Sequence, residues 1–144
     1  MGALLSPGDR VVAMTPCYQS LTEIARSRGC DVVAWEPHLP AGGAPRFPIE
    51  TLEEVLSARP TRLVVCNLPH NPTGALLSHT EFEALVSLCR RHGCYLFVDE
   101  MYRGLEHGGS QAQLPAAVDA YPERGISLGG LSKSYGLPGL RIGW

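Results

Sequence analysis

The sequence lacks any apolar run close to the roughly 20 residues that a membrane-spanning helix needs. It also has little net charge, with a formal value of -2 at pH 7 and a pI of about 6.2, so no strong field attracts nucleic acid or an anionic membrane. The composition, 44% hydrophobic and 18% charged residues, excludes the pattern typical of disordered chains. We therefore expect a globular protein without nucleic-acid or membrane partners.

The sequence also lacks a Cys-x-x-Cys pair and an even number of cysteines. An odd count, with most cysteines inside apolar segments, favours reduced thiols in a cytoplasmic protein over a disulfide framework or a zinc site. No signal peptide and no metal-ligand spacing of histidines is present, and His70 is interpreted as a packed or hydrogen-bonded loop residue. The cysteines are Cys17, Cys30, Cys66, Cys89 and Cys94.

The chain of 144 residues alternates between apolar runs and amphipathic segments, and its length suits one domain. Strand, helix and strand at this spacing predict βαβ units, and strands that are apolar throughout are typical of sheets covered on both faces. We predict a three-layer α/β fold whose mostly parallel sheet has helices on both faces. The predicted strands are 9–14, 31–35, 61–66, 94–98 and 126–128, with a further one opening over 141–144, and the predicted helices are 20–28, 49–58 and one that begins at Ser78 or Thr80 and stops at Gly93.

Ligands of open α/β sheets bind outside the carboxyl ends of the strands, so the residues that follow each strand are the candidates. Asn71 follows one predicted strand, Asp99 and Tyr102 follow the next, and Lys133 follows the last, with Arg141 eight residues farther on. Three strand ends thus deliver an amide, a carboxylate with a phenol, and an amine with a guanidinium. These groups could bind one polar ligand along a single rim.

The order of these motifs resembles the class I and II aminotransferases, the fold type I enzymes that use pyridoxal 5'-phosphate (PLP). The motifs are Asn-Pro-x-Gly at 71–74, Asp-x-x-Tyr at 99–102, Ser-Lys at 132–133 and Arg141. Each motif alone is weak, whereas the ordered combination is specific. The resemblance covers nearly the whole chain and implies PLP as cofactor and transfer of an amino group from an amino acid to a 2-oxo acid.

The same resemblance implies a role for each residue. Lys133 would form the Schiff base with the cofactor aldehyde and later move protons. Asp99 would keep the pyridine nitrogen protonated, so that the ring can accept electrons from the substrate. Asn71 and Tyr102 would hydrogen-bond the ring oxygen. The other implied contacts are a ring stack from Tyr18 and phosphate contacts from Ser132 and Arg141.

Ordinary structural roles remain open for these residues. Lys133 could be a solvated surface lysine, and Asn71 before a proline could form a plain turn. Tyr102 and Tyr18 could be packing residues. Asp99 could cap a helix and Arg141 could lie on the surface. Glu100 is not chosen as the ring-nitrogen partner, because it lies on the opposite side of an extended chain from Asp99.

The chain departs from the family in its length. It lacks an upstream glycine-containing turn that binds the cofactor phosphate and a downstream small domain that grips the substrate carboxylate, and Met1 resembles an internal methionine. Gly130 also stands where many members have a phosphate-binding serine. We interpret residues 1–144 as one partial PLP-binding large domain, expected to be inactive alone and to belong to a homodimeric full-length protein.

Two other functions remain open at this stage. One is a different PLP reaction on the same fold, such as that of a lyase, a racemase or a cyclase. The stretches 102–107 and 136–144 resemble a bacterial subgroup that includes capreomycidine synthase-like proteins. The other is a non-catalytic truncated fragment that binds PLP weakly or not at all.

Overall fold

The computed structural model describes residues 1–107 and 112–144. Five strands form one sheet, and each lies within a few residues of its predicted position. The α/β fold class predicted from the sequence is confirmed. The strands are β1 (Arg10–Met14), β2 (Asp31–Trp35), β3 (Leu63–Asn67), β4 (Tyr95–Asp99) and β5 (Gly125–Leu128).

Helices connect the strands. Ser78 caps the start of the helix α3 (His79–Arg91). Its hydroxyl accepts from the Glu81 amide, while the Glu81 carboxylate accepts from the Ser78 amide. This reciprocal capping box selects Ser78 over Thr80 as the start. The described helices, the longest of 13 residues, all fall short of the length and apolar character of a membrane span. They are α1 (Ser20–Ser27), α2 (Ile49–Ala58), α3 (His79–Arg91) and α4 (Ala117–Ala120), with a 3₁₀ turn at Pro138–Leu140.

The sheet order is β2-β1-β3-β4-β5, and each neighbouring pair of these strands is parallel. From β1 the chain moves outward to β2 and then returns past β1 to β3, so the direction of winding reverses between β1 and β3. Such a switch point opens a crevice at the carboxyl ends of the strands. The register places Asn67 beside Asp99, and Asp99 beside Leu128.

Helices cover both faces of the sheet, as predicted. On one face α1 packs Leu21 and Ala25 against side chains of β1 and β3 such as Val11. On the other face Leu52 of α2 and Leu85 of α3 belong to a larger core. Burial on both faces explains why β1 and β3 are apolar along almost their whole length.

The carboxyl-terminal segment does not add a strand to the sheet. Gly129 and Trp144 exchange backbone hydrogen bonds of 2.9 and 3.0 Å, and Gly130 pairs with Gly143 as an isolated antiparallel bridge. A Cβ atom on Gly129 would lie 2.6 Å from the Trp144 indole nitrogen, so a larger residue there would require the exposed Trp144 ring to move. The predicted strand over 141–144 is therefore wrong: the segment folds back onto the loop after β5 and forms a single bridge.

Candidate functional site

The ends of β3 and β4 are joined by the buried side chain of Asn67. Its Nδ2 donates to the Asp99 carbonyl at 2.9 Å, and its Oδ1 accepts from the Asn71 amide at 2.7 Å. One side chain thus fixes two of the predicted site residues relative to each other. The sequence analysis did not single out Asn67; the signal was a polar residue ending an otherwise apolar strand.

Asp99 ends β4 and is only 8% exposed. Its Oδ1 accepts from the Met101 amide at 3.1 Å. Burial raises the pKa of the Asp99 carboxyl above its usual value, the Met101 amide opposes that shift, and the neighbouring Glu100 adds to it. A poorly solvated carboxylate of this kind is stabilised by a cationic partner such as a protonated ring nitrogen.

Glu100 has a different environment, although it is the next residue. Its carboxylate accepts from the Ala117 amide at 2.9 Å, from the Ser127 hydroxyl at 2.6 Å and from Arg103 Nε at 2.9 Å. These three donors occupy Glu100 in joining the loop after β4 to α4 and β5. The contacts agree with the sequence argument that Glu100 is not the ring-nitrogen partner.

Lys133 is exposed and lies in the loop after β5. Its Nζ lies 5.9 Å from the centroid of the Tyr102 ring, within the range of a cation–π contact. The Ser134 hydroxyl donates to the Arg103 carbonyl at 2.5 Å and so ties this loop to the loop that carries Tyr102. Lys133 is also the only lysine in the 144-residue chain.

Asn71 and Tyr102 line one cavity of about 510 Å³, together with His70 and Glu106. Because Lys133 contacts Tyr102 and Asn67 joins Asn71 to Asp99, four predicted residues come together from three neighbouring strand ends. The group combines an amine, a phenol, an amide and a carboxylate. Such a set offers hydrogen-bond donors, acceptors and an amine to a polar ligand.

His70 is packed and hydrogen-bonded, in line with its sequence interpretation. It is 2% exposed, its Nδ1 lies 2.7 Å from Thr73 Oγ1, and its ring meets Phe47 edge-on at 4.6 Å. Its Nε2 is buried without a well-aligned hydrogen-bond partner in the described part of the chain. Burial lowers the pKa of His70, and the Pro16 carbonyl partly opposes that shift.

Tyr18, Ser132 and Arg141 are less closely tied to this group. Tyr18 is 63% exposed and borders a separate surface hollow along α1. Arg141 is exposed, and its Nη1 donates to the Pro138 carbonyl at 3.3 Å. Ser132 is half-buried beside Lys133. Among the described residues no hydrogen bond or ring contact joins Tyr18 or Arg141 to Lys133, so their stacking and phosphate roles stay predictions.

Comparison with known proteins identifies the family of this chain. The family model described as aminotransferase class I and II matches residues 1–144. The chain is 34% identical to an arginine–pyruvate transaminase of Pseudomonas aeruginosa over 142 residues, which are 98% of this chain and 35% of that protein. It is 41% identical to a capreomycidine synthase of Streptomyces vinaceus over 136 residues, 94% of this chain and 33% of that one.

Solved structures agree. A PLP-dependent aminotransferase from Streptococcus suis superimposes with a TM-score of 0.86 at 37% identity, covering 99% of this chain and 36% of that one. The chain spans about a third of the length of the relatives it matches. Both the family model and the folded structure account for the whole chain, which therefore belongs to the class I and II aminotransferases, a family of PLP-dependent enzymes.

Proposed function

We propose that this chain forms the cofactor-binding centre of a PLP-dependent aminotransferase that moves an amino group from an amino acid to a 2-oxo acid. The observation that carries the proposal is the grouping of Lys133, Tyr102, Asn71 and Asp99 at adjacent strand ends. A partial large domain over residues 1–144 agrees with the share of its relatives that the chain spans. The full-length protein would also contain the small domain.

The residues present fit the ring of PLP. The buried Asp99 carboxylate suits a protonated ring nitrogen, and Asn71 and Tyr102 border one cavity where they can donate to a ring oxygen. Bound PLP supplies an electron sink for the charge that develops on the substrate. Lys133 would hold the cofactor through its amine and, once displaced, take a proton from the substrate and return it.

The phosphate side fits less completely. Arg141 bonds to its own turn, and Gly130 has no hydroxyl; a Cβ atom built there would lie 3.1 Å from Met101 Sδ. We propose that Ser132 and Arg141 contribute to a phosphate site completed by other parts of the full-length protein, and that Tyr18 stacks on the ring. A homodimer, a cytoplasmic location and a biosynthetic role in amino acid metabolism belong to the same proposal, supported by the family and by the five free cysteines.

The experiment is an absorbance scan of the purified protein with PLP, before and after borohydride, followed by mass mapping of the fixed product. We expect a new absorption band and a reduced adduct on Lys133, both absent in Lys133→Ala. Because residues 1–144 contain one lysine, mass mapping distinguishes an adduct on Lys133 from one on the amino terminus of this chain. No adduct, or equal labelling of both amines, would contradict a working PLP site and favour the truncated-fragment interpretation.

A second candidate is another PLP reaction, of the kind that the capreomycidine synthase carries out. The observation in its favour is the identity of 41% to that protein, higher than the 34% to the arginine–pyruvate transaminase. The two candidates share the cofactor contacts, so PLP binding does not separate them. Incubation of the full-length protein with an amino acid and pyruvate does: formation of alanine supports transamination, and consumption of the amino acid without alanine supports the alternative.

A further inference from the structure

The hydroxyl of Ser134 connects the two loops that carry Lys133 and Tyr102. It donates to the Arg103 carbonyl at 2.5 Å and lies 3.4 Å from the Met101 carbonyl. Ser134 is adjacent to Lys133 in sequence, and Arg103 is adjacent to Tyr102. The bond therefore lies one residue from each partner of the Lys133–Tyr102 contact.

The carbonyl that accepts this bond is itself held firmly. Arg103 donates from Nε to Glu100 at 2.9 Å and from Nη1 to the Leu114 carbonyl at 2.8 Å. Its own amide donates to the Glu100 carbonyl at 2.9 Å. Charge-assisted bonds of this kind are stronger than neutral ones, so Arg103 offers Ser134 a fixed acceptor.

Glu100 in turn is buried and anchored. Its side chain is 8% exposed and accepts from the Ala117 amide and the Ser127 hydroxyl as well as from Arg103. A buried carboxylate with three donors resists displacement, because moving it would leave both charge and donors unpaired. The support for Ser134 therefore extends back to α4 and β5.

The Lys133 loop has little other side-chain support from the loop after β4. Two backbone hydrogen bonds lie within the loop: the Gly136 amide donates to the Lys133 carbonyl, and the Leu137 amide donates to the Leu131 carbonyl. A third joins the loop to the terminal segment, where the Ile142 carbonyl accepts from the Leu131 amide. In the described part of the chain, Ser134 makes the only side-chain hydrogen bonds between this loop and residues 101–103. Loss of the hydroxyl would free Lys133 to move relative to Tyr102.

We propose that Ser134 is a positioning residue that sets where the Lys133 amine stands opposite Tyr102, with Arg103 and Glu100 holding the carbonyl that Ser134 binds. This inference rests on the proposed function, because the amine is positioned for bonding to the PLP aldehyde. In that step the neutral Lys133 amine would form a C=N bond to the aldehyde carbon, and the carbonyl oxygen would leave as water with the two hydrogens of the amine. Positioning of the reacting atoms governs the rate of such a step.

The test is made on the 144-residue chain, in which Lys133 is the only lysine, and label on the amino terminus of that chain serves as the internal reference. The purified protein is mixed with limiting PLP, reduced with borohydride after set times, and the ratio of label on Lys133 to label on the terminus is measured. We expect Ser134→Ala to lower this ratio about fivefold, the scale of one lost hydrogen bond. Ser134→Thr, which keeps a hydroxyl, should restore much of the ratio.

Controls separate positioning from stability. Ser87→Ala removes an exposed hydroxyl on α3 and should leave the ratio unchanged. Thermal midpoints are measured for every variant, and a ratio that falls only in step with the unfolded fraction would overturn the inference. Glu100→Gln weakens the bond between Glu100 and Arg103 and leaves the Lys133 loop itself unchanged. We expect it to lower the labelling ratio less than Ser134→Ala does.

The outcomes also separate this inference from the proposed function. A wild-type protein that labels Lys133 preferentially, with Ser134→Ala equal to it, would overturn the positioning role and leave the PLP site intact. A wild-type protein without preference for Lys133 would overturn both. Preferential labelling that is lost in Ser134→Ala and regained in Ser134→Thr would support both.

Discussion

Asn67 and Asp99 lie side by side at the ends of β3 and β4, and the Asn67 amide donates to the Asp99 carbonyl at 2.9 Å. The same side chain accepts from the Asn71 amide, so it spans the two loops at the candidate site. Neither bond is available to an apolar residue at this position. The arrangement lets a buried amide determine the relative placement of two residues proposed to contact PLP.

Replacement of Asn67 by leucine should therefore weaken both the fold and the site. The change keeps the branched shape and the number of heavy atoms of the side chain but leaves the partly buried Asn71 amide and the Asp99 carbonyl with fewer partners, at a cost of about 1–3 kcal/mol. Urea unfolding and PLP binding by equilibrium dialysis measure the two effects. Gln19→Leu, at an exposed position before α1, is the control. Equal stability and PLP affinity in Asn67→Leu and wild type would contradict this role.

Asp99→Asn should separate stability from cofactor binding. Folding raises the pKa of Asp99 above its ordinary value of 3.8. Asp99 therefore contributes to the free energy of unfolding at pH values below 3.8, and this contribution is lost as the pH rises through the folded pKa. At pH 7 the neutral amide should thus leave the free protein as stable as wild type or more so, by up to about 1 kcal/mol, while weakening PLP binding. Urea titrations at pH 7 and PLP binding test this; unchanged PLP affinity would argue against the ring-nitrogen role.

The buried His70 should lower the free energy of unfolding as the pH becomes acidic. Burial holds its folded pKa below the ordinary value of 6.5, so its contribution is fully present above pH 6.5 and is lost as pH falls toward the folded pKa. The slope can reach about 1.4 kcal/mol per pH unit for one proton. Unfolding free energies between pH 7.5 and 5.5 should show this fall in wild type and in the exposed control His38→Gln, but not in His70→Phe. A parallel slope in all three would assign the effect to other groups.

The five cysteines should divide into two classes of reactivity. Cys17 and Cys30 are partly exposed, whereas Cys66, Cys89 and Cys94 are buried. Burial raises the pKa of the Cys66 thiol well above its usual range, which removes the reactive thiolate. A thiol reagent such as DTNB should modify two cysteines in the native protein and five in urea. Rapid modification of Cys66 in the native protein would contradict the burial of its side chain in the core.

The sequence predicted most of the sheet because β1 and β3 are apolar along almost their whole length and stand between clear turn residues. The short helix α4 was not predicted: with four residues, it has too few positions for an amphipathic pattern to show. Its amino terminus is fixed by Glu100, a contact between residues 17 apart. The 141–144 strand failed for a similar reason, since its backbone pairing joins Trp144 to Gly129, which is distant in the sequence.

At the candidate site, motif order predicted the residues, but not the side chains that hold them in place. Lys133, Asp99, Asn71 and Tyr102 follow strand ends, and strand ends are visible in the sequence. The supporting residues Asn67, Arg103 and Ser134 bond across loops, so their roles depend on the distance between β3, β4 and β5. The Tyr18 and Arg141 roles were inferred from the family resemblance alone and stay predictions.

The strand register described above has a consequence for how such a chain can vary. Asn67, Asp99 and Leu128 lie at one level across three parallel strands, whose neighbours are about 4.8 Å apart. The sheet thus fixes the spacing between the residues that follow its strands. The loops beyond can lengthen or change without altering that spacing. Mutation could therefore change the outer loops while the spacing of Asn67, Asp99 and Leu128 is inherited unchanged.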